Sequence, residues 1–317
     1  MENFSMSTLT GLLGGGGGGS SHLGVVLLTE STTVSFPVDV EALVYVIGAG
    51  GGGAASASAR STGGGAGGCA ISKLTLSAGT TYTATIGARG TGGTVTSNPG
   101  SASNGGNGGN TSFSGSGITT MFGNGGAGGT STTGFNTLLT GSAGGSASGG
   151  TLFNTTGGAA GSITDPSGYG RTSSGGDVGI FATPARAVGN ITFYPLDILG
   201  YNPLPFEIQF LGKNDVFNEA TWSGSTIYYY TDQIKAAGSK GSLIEWDSSN
   251  RRRTMSDSGA FSGGTGVSYN DSGSGNNYVI SGDASLGGGG GGAAAYYTAY
   301  AALGGVGAVI IQILSVG

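Results

Sequence analysis

The sequence predicts a mainly β protein, in which β-sandwich-like strands alternate with glycine-rich segments and a β-rich domain is inserted. The first observation is composition, because 72 of the 317 residues are glycine, about three times the usual share. The second is that 37% of the residues are hydrophobic and form short strand-like runs, which a disordered chain lacks. The third is that residues 177–286 are far less rich in glycine than the segments on either side.

The first element is an N-terminal arm, residues 1–24. It contains the run Gly14–Gly19, which is glycine alone, and such a run behaves as a flexible tether. The arm is therefore expected to connect this chain to other proteins of an assembly.

The next segment, residues 25–90, has the apolar pattern of β-strands. Residues 43–47 form a continuous apolar strand, and the segments 73–77 and 80–86 alternate between apolar and polar residues. Ser77, Ala78 and Gly79 between these last two segments predict a turn, so the two strands are expected to pair as a hairpin.

Residues 91–176 consist largely of glycine, serine, threonine and asparagine. One arrangement for them is the extended polyglycine II helix, which has no internal hydrogen bonds and packs side by side through lateral backbone bonds. The other is a set of long loops at one end of a β-sandwich. Residues 25–176 form the first part of this glycine-rich β domain, and residues 287–317 supply its closing strand.

Residues 177–286 predict an inserted β-rich domain. They hold both tryptophans and most of the charged residues. The segments "TFYPL", "FEIQFLG", "STIYYYTD" and "SLIEWDS" are predicted as its strands.

The segment "VYVIGAGGGG" also matches the dinucleotide-binding pattern G-x-G-x-x-G at Gly48, Gly50 and Gly53. That site needs a helix from within the motif and an acidic residue about 20 residues later. Glycines 63–65 interrupt any helix, and no acidic residue lies between Glu41 and Asp165. We therefore expect no cofactor, and we expect the glycines to serve backbone packing.

Charge and residue counts exclude several further classes. The net charge of −5 argues against a nucleic-acid partner, which needs a basic surface. One cysteine and one histidine predict neither a disulfide framework nor a metal site. The apolar runs are too short for membrane insertion, and the polar, acidic start lacks a signal peptide's basic region, so synthesis in a cytosol is expected.

Catalytic groups are sparse, and no enzyme activity is expected. His22 lies in the glycine tail without a fixed partner, and Cys69 is expected to be a small buried residue. The carboxylate pairs Asp215 with Glu219 and Glu245 with Asp247 leave a polysaccharide hydrolase as an alternative, because glycoside hydrolysis needs two carboxyl groups.

Aromatic and arginine residues of the inserted domain are the candidate binding residues. Tyrosine and tryptophan dominate binding hot spots and stack on sugars, and arginine grips phosphate. The alternatives are a core face for the aromatics, and a solvated turn or an ion pair with Asp247 or Asp257 for the arginines. For Tyr296, Tyr297 and Tyr300 the alternative is a packing seam between subunits. The candidate receptor-binding residues are Trp222, Tyr228, Tyr230, Trp246, Arg251, Arg252 and Arg253.

A series of motifs occurs in a fixed order along the chain: Phe36-Pro37, "LVYVIGAGGGG", "GGGAGG", "LSAGTTYTATIGARGTGG", "GGNGGNTSF" and the closing "GGVGAVIIQI". This order resembles the glycine-rich domain of bacteriophage tail-fibre and adhesin-type proteins. The resemblance covers residues 31–176 and 287–317.

The resemblance implies a structural virion protein, a tail-fibre or adhesin subunit that binds a bacterial surface glycan or an outer-membrane protein. The N-terminal arm would then contact other virion proteins, and a homotrimer is expected because a chain with little core gains from shared burial. A capsid decoration or head-fibre protein is the alternative.

Overall fold

The structure is a computed structural model, and every element that it describes is a strand or a turn. This confirms the predicted mainly β class. It describes residues 24–57, 59–96, 101–134, 137–163, 171–173, 175–178, 217–222, 225–230, 243–247, 250–253, 263–264, 266–269, 278–281, 284, 286–295 and 298–317. Most of the N-terminal arm, with His22, lies outside these residues.

The strands are numbered in chain order. The first twelve are β1 (Gly24–Leu28), β2 (Thr32–Val34), β3 (Val40–Ile47), β4 (Ala55–Ala57), β5 (Arg60–Ser61), β6 (Cys69–Leu76), β7 (Tyr82–Thr85), β8 (Thr94–Thr96), β9 (Ala102–Ser103), β10 (Thr111–Gly115), β11 (Met121–Gly123) and β12 (Ser131–Thr132). The others are β13 (Ala147–Ser148), β14 (Phe153–Thr155), β15 (Arg171–Thr172), β16 (Phe217–Trp222), β17 (Ser225–Tyr230), β18 (Leu243–Asp247), β19 (Asn250–Arg253), β20 (Val267–Tyr269), β21 (Tyr278–Ile280), β22 (Ala293–Ala295), β23 (Thr298–Tyr300) and β24 (Ala308–Val316).

Two antiparallel sheets form a sandwich. The first sheet has the order β1-β24-β3-β6-β14, and the second has the order β13-β11-β10-β7-β2. Alternate residues of β3 and β24 face the second sheet and pack on Tyr82, Phe113 and Met121. The rings of Tyr82 and Phe113 stack with centroids 5.7 Å apart. Apolar alternation therefore creates an ordinary hydrophobic core beside the glycine-rich segments.

The predicted hairpin of segments 73–77 and 80–86 is wrong. The turn at Ala78-Gly79 exists, and Gly79 adopts a φ of 68°. However, β6 belongs to the first sheet and β7 to the second, where β7 pairs with β2 and β10. The chain thus crosses between the sheets, and Leu76 and Tyr82 meet inside one core instead of pairing edge to edge.

The other face of the first sheet is also buried. Leu43, Tyr45, Ile47, Cys69 and Ile310 pack there with residues from the later part of the chain. This explains why the β3 sequence is continuously apolar, since a strand covered on both faces lacks the two-residue alternation. Burial raises the pKa of the Cys69 thiol far above its ordinary value, and Cys69 is confirmed as a free, buried residue.

Glycine-rich runs connect this sandwich to three smaller sheets. These have the orders β20-β22-β4-β9, β12-β5-β15 and β19-β18-β21-β23-β8, and alanines pack between the first and last of them. Six runs that are described along their whole length join the two groups of sheets, namely 48–54, 62–68, 86–93, 104–110, 124–130 and 301–307. We call these runs, with 141–146, 156–161, 175–178 and 286–292, the glycine array.

The run 48–54 lies at the centre of the array. Its amides donate in rotation: Gly48 and Gly51 to the run 62–68, Ala49 and Gly52 to 104–110, and Gly50 and Gly53 to 301–307. Its carbonyl groups accept bonds from the runs 86–93, 124–130 and 286–292. A repeat of three residues is that of the polyglycine II helix. Of the two predicted arrangements, the structure therefore has the packed one.

Absence of a side chain is what this packing requires. A Cβ atom added at Gly48, Gly50 or Gly53 would lie under 3.0 Å from a backbone carbonyl oxygen of a neighbouring run. Each glycine costs about 0.5–1 kcal/mol in chain entropy, and a lateral bond contributes a similar net amount. The glycines of the dinucleotide-like motif are therefore used for close approach between backbones, as expected.

Asparagine side chains of the run 104–110 accept hydrogen bonds from backbone amides of the neighbouring segment 125–131. The Oδ1 atoms of Asn104, Asn107 and Asn110 accept from the backbone N–H groups of Ser131, Gly128 and Gly125 at 2.9, 2.8 and 2.9 Å. The asparagines recur every third residue, so all three occupy the same exposed face. We call these three residues the asparagine ladder.

Candidate functional site

Three of the predicted binding residues lie on one edge strand of the sheet β19-β18-β21-β23-β8. We call it the arginine sheet, because its edge strand β19 contains Arg251, Arg252 and Arg253. Its opposite edge, β8, follows directly from the glycine run 86–93, and β23 leads into the run 301–307. Two strands of the sheet that contains the arginines are thus directly continuous with runs of the array.

One face of the arginine sheet is buried. Val95, Val279 and Ala299 are paired across three strands, and all three pack in an alanine-rich cluster. Their row continues in register to Ile244 and Arg252. Because residues paired across a sheet share a face, Arg252 occupies a position on the buried face.

The other face is open to solvent. Ile280 and Tyr300 are paired on it, and each residue is 38% exposed. Their row runs from Thr94 at one edge to Leu243 and Arg253 at the other. The neighbouring row on this face consists of Thr96, Thr298, Tyr278, Glu245 and Arg251.

The register therefore divides the predicted arginine cluster. Arg251 and Arg253 occupy the open face together with Ile280 and Tyr300, whereas Arg252 occupies the opposite face. Trp246 lies where the register between β18 and β19 shifts and has no paired residue on β19. The open face thus contains register positions of apolar, aromatic, hydroxyl-bearing and arginine residues, a set of residue types that suits a ligand with sugar rings and phosphates.

The remaining predicted residues lie on a separate two-stranded sheet, β16-β17. Tyr228 and Tyr230 are paired with Glu219 and Phe217 on one face. Trp222 is paired with Ser225 on the other face, with Asn218 and Ala220. The structure thus confirms the face shared by Tyr228 and Tyr230 and places Trp222 opposite to it.

The carboxylates considered for hydrolysis are also located in part. Glu245 is paired with Arg251 across the strands, and the register shift separates Glu245 from Asp247. Asp215 lies outside the described residues. The described residues contain no group of three or more histidine, cysteine, aspartate or glutamate side chains that could hold a metal ion.

Sequence reasoning did not identify Ile280 and Thr94 as parts of the open face, and for Tyr300 it left a packing seam between subunits as an alternative to binding. The available signal was two-residue alternation in the short segments "TVT", "YVI" and "TAY". Three residues are too few to reveal a strand, and the parallel pairing of β21 with β23 depends on the full fold. No described helix is long and apolar enough to cross a bilayer.

Comparison with known protein families gives a match over most of the chain. A family model described as a glycine-rich domain matches residues 26–314. The matched range begins in β1 and ends in β24, which are neighbours in the first sheet. A comparison with curated proteins gives no match.

Proposed function

This chain belongs to the glycine-rich domain family, and on that premise we propose that it is a structural virion protein of a tailed bacteriophage. In this proposal it is a tail-fibre or adhesin subunit that attaches the particle to the bacterial surface. It is synthesised in the host cytoplasm and assembled into the tail. Its N-terminal arm contacts other virion proteins.

The observation that carries the proposal is the connection of the arginine sheet to the glycine array. Lateral backbone bonds on all sides of the run 48–54 make the array a stiff support. Because β8 and β23 continue directly into runs of that support, the open face has a fixed position relative to the rest of the chain. An attachment protein needs such a support, since a preordered surface loses less entropy on binding.

The chemistry of the open face favours a phosphate-bearing surface glycan as the ligand. Guanidinium groups bind phosphate through two parallel N–H bonds, and aromatic rings stack on sugar faces. Tyr300 and Ile280 supply exposed apolar area, while Arg251 and Arg253 occupy the same face by register. Lipopolysaccharide contains both phosphate and sugar, whereas an outer-membrane protein as receptor would lack this phosphate.

The test is binding of the purified chain to purified lipopolysaccharides and to whole cells from a panel of bacterial strains. We expect Arg251→Ser and Arg253→Ser each to weaken binding by about tenfold, and Tyr300→Ala by a similar factor. Arg89→Ser is the matched control, because Arg89 is an exposed arginine of the array outside the arginine sheet. The wild type should bind dephosphorylated lipopolysaccharide as weakly as the arginine variants bind the intact lipopolysaccharide.

Unchanged binding by Arg251→Ser and Arg253→Ser would contradict this ligand assignment, and binding to cells through a protease-sensitive receptor would favour an outer-membrane protein. Antibody labelling of intact particles tests the location. Label on the tail supports the proposal, and label on the head supports the capsid decoration alternative. If the wild type cleaved the glycan and Glu245→Gln did not, the result would support the hydrolase alternative instead.

A further inference from the structure

Arg60 is a fully buried arginine at the end of the glycine array. It lies on β5, between β12 and β15, and none of its surface is exposed. Among the described residues it forms no salt bridge. A buried cation without a compensating charge is expensive, so its surroundings require explanation.

Only part of the Arg60 guanidinium group is hydrogen-bonded. Its Nη1 donates to the carbonyl oxygen of Thr137 at 2.9 Å, while its Nε and Nη2 are buried without a partner. These two nitrogens form one side of the guanidinium, and their N–H bonds run parallel. That side is the fork that accepts the two oxygens of a carboxylate or phosphate.

The described residues also form no ion pair with this charge. Arg171 on β15 is paired in register with Arg60, and Thr132 on β12 is paired with it on the other side. Two arginines are therefore at paired positions of adjacent strands, where like charges are destabilising. The sequence has no acidic residue between Glu41 and Asp165, so strands β4 to β14 contribute no carboxylate.

We propose that Arg60 is the centre of an internal anion site that binds one small oxyanion from solution. The anion accepts from Nε and Nη2 through two of its oxygens, while Nη1 keeps its bond to Thr137. The class is a phosphate, sulfate or carboxylate ion, since a single-atom halide cannot engage both donors with linear bonds. Binding ties β5 to its neighbours and stabilises this end of the array.

The experiment compares thermal unfolding in inorganic phosphate and in chloride at equal ionic strength. A ligand of the folded state raises Tm with its concentration. We expect phosphate to raise Tm of the wild type by about 3–6 °C over chloride. Arg60→Met should lose this difference, and Arg60→Lys, which keeps the charge but not the fork, should lose most of it. Arg89→Met, at an exposed arginine, should retain it.

Equal Tm values of the wild type in phosphate and chloride would overturn the proposal, and this measurement does not depend on any variant folding. An equal phosphate effect in Arg60→Met would overturn it as well, because it would indicate general exclusion of phosphate from the protein surface. A wild type insensitive to phosphate, with Asp165→Asn as destabilised as Arg60→Met, would replace it with an internal ion pair. Phosphorus-31 resonance should show phosphate bound to the wild type and absent from Arg60→Met.

Discussion

Gly51 and Gly117 show two different reasons for glycine in one chain. Gly117 lies in the turn between β10 and β11, has a φ of 81° and has open space around it. Gly51 belongs to the central run, and a Cβ there would lie under 3.0 Å from the carbonyl oxygen of Ala127. Gly117 is thus selected by backbone conformation and Gly51 by close approach.

Adding the same methyl group at these two positions separates the two reasons. Gly117→Ala should lower the free energy of unfolding by about 1–2 kcal/mol, the cost of a left-handed residue with a side chain. Gly51→Ala should lower it by about 3 kcal/mol or more, because a backbone neighbour must move. Urea unfolding of both variants measures the difference. Similar losses would contradict the packing account of the central run.

Cys69 gives a pH dependence whose sign is fixed by burial. The folded thiol stays protonated because burial raises its pKa, whereas an unfolded thiol ionises above about pH 8.5. The unfolded state then binds fewer protons, so stability is full below that pH and falls above it by about 1.4 kcal/mol per pH unit. Cys69→Ala should remove this part of the slope.

Unfolding free energies at pH 7 to pH 9.5 test the prediction. The slope is compared and not the absolute stability, because removing the sulfur also changes core packing. A thiol reagent gives an independent readout: labelling of Cys69 at pH 9 should occur only through unfolding. An identical pH slope in wild type and Cys69→Ala would contradict the burial argument.

At this scale, residue chemistry predicted the use of the glycines but not the environment of Arg60. The missing acidic residue after Gly53 was enough to reject the nucleotide-binding interpretation, because that chemistry has a fixed requirement. The segment "SARST" contains no apolar periodicity that would indicate burial. Arg60 is buried because runs and strands from distant parts of the chain enclose it, and local sequence does not encode that.

At the scale of elements, the asparagine ladder replaces the neighbour that an outer run lacks. The amides of Gly125, Gly128 and Ser131 donate to the side-chain oxygens of the ladder, whereas other amides of the run 124–130 donate to backbone carbonyls of neighbouring runs. The pattern "NGGNGGN" reflects this geometry. A helix with three residues per turn has three faces, of which asparagine occupies the exposed one and glycine the two packed ones. A repeat of three residues therefore indicates packed polyglycine II helices. Alternation, with its repeat of two residues, indicates strands and does not reveal such helices.

Substitution of the ladder tests this role. Asn107→Ala leaves the Gly128 amide without its acceptor and should cost about 1 kcal/mol, and the triple variant at Asn104, Asn107 and Asn110 should cost about three times as much. Amide exchange should accelerate at Gly125, Gly128 and Ser131. Asn154→Ala, which breaks a local loop contact to Gly150, is the control and should leave those three amides protected.

The strand predictions succeeded where the pattern was long and failed in partner choice. Segments 43–47 and 73–77 fall within β3 and β6 because apolar residues identify buried strands. The turn at Gly79 was also identified, but a turn residue does not decide whether the next strand joins the same sheet. That choice depends on β10 and β2, which pair with β7 in the folded chain.

At the scale of the whole molecule, the apolar core of one chain bears on the expected homotrimer. The sequence predicted little apolar core, yet both faces of the first sheet are covered by apolar clusters. Shared burial is therefore less necessary for stability than the composition implied. We still propose a trimer for the attachment function, and light scattering at micromolar concentration should give three times the mass of one chain. A monomeric mass would contradict the trimer.

Residues 301–314 complete the centre of the fold, so the fold requires this segment. The run 301–307 accepts bonds from Gly50 and Gly53, and β24 lies between β1 and β3. Contacts this distant in sequence make folding slow, because loop closure precedes the stabilising bonds.

We therefore expect a chain ending at residue 300 to lose cooperative thermal unfolding and protease resistance throughout 24–163. A chain ending at Leu314 should keep both, because it lacks only the exposed end of β24. Circular dichroism and limited proteolysis measure the outcome. If the chain ending at residue 300 unfolded cooperatively, the runs preceding it would be stable without their last neighbour. The runs of the array would then be stable independently of one another, and the array would not be a single cooperative unit.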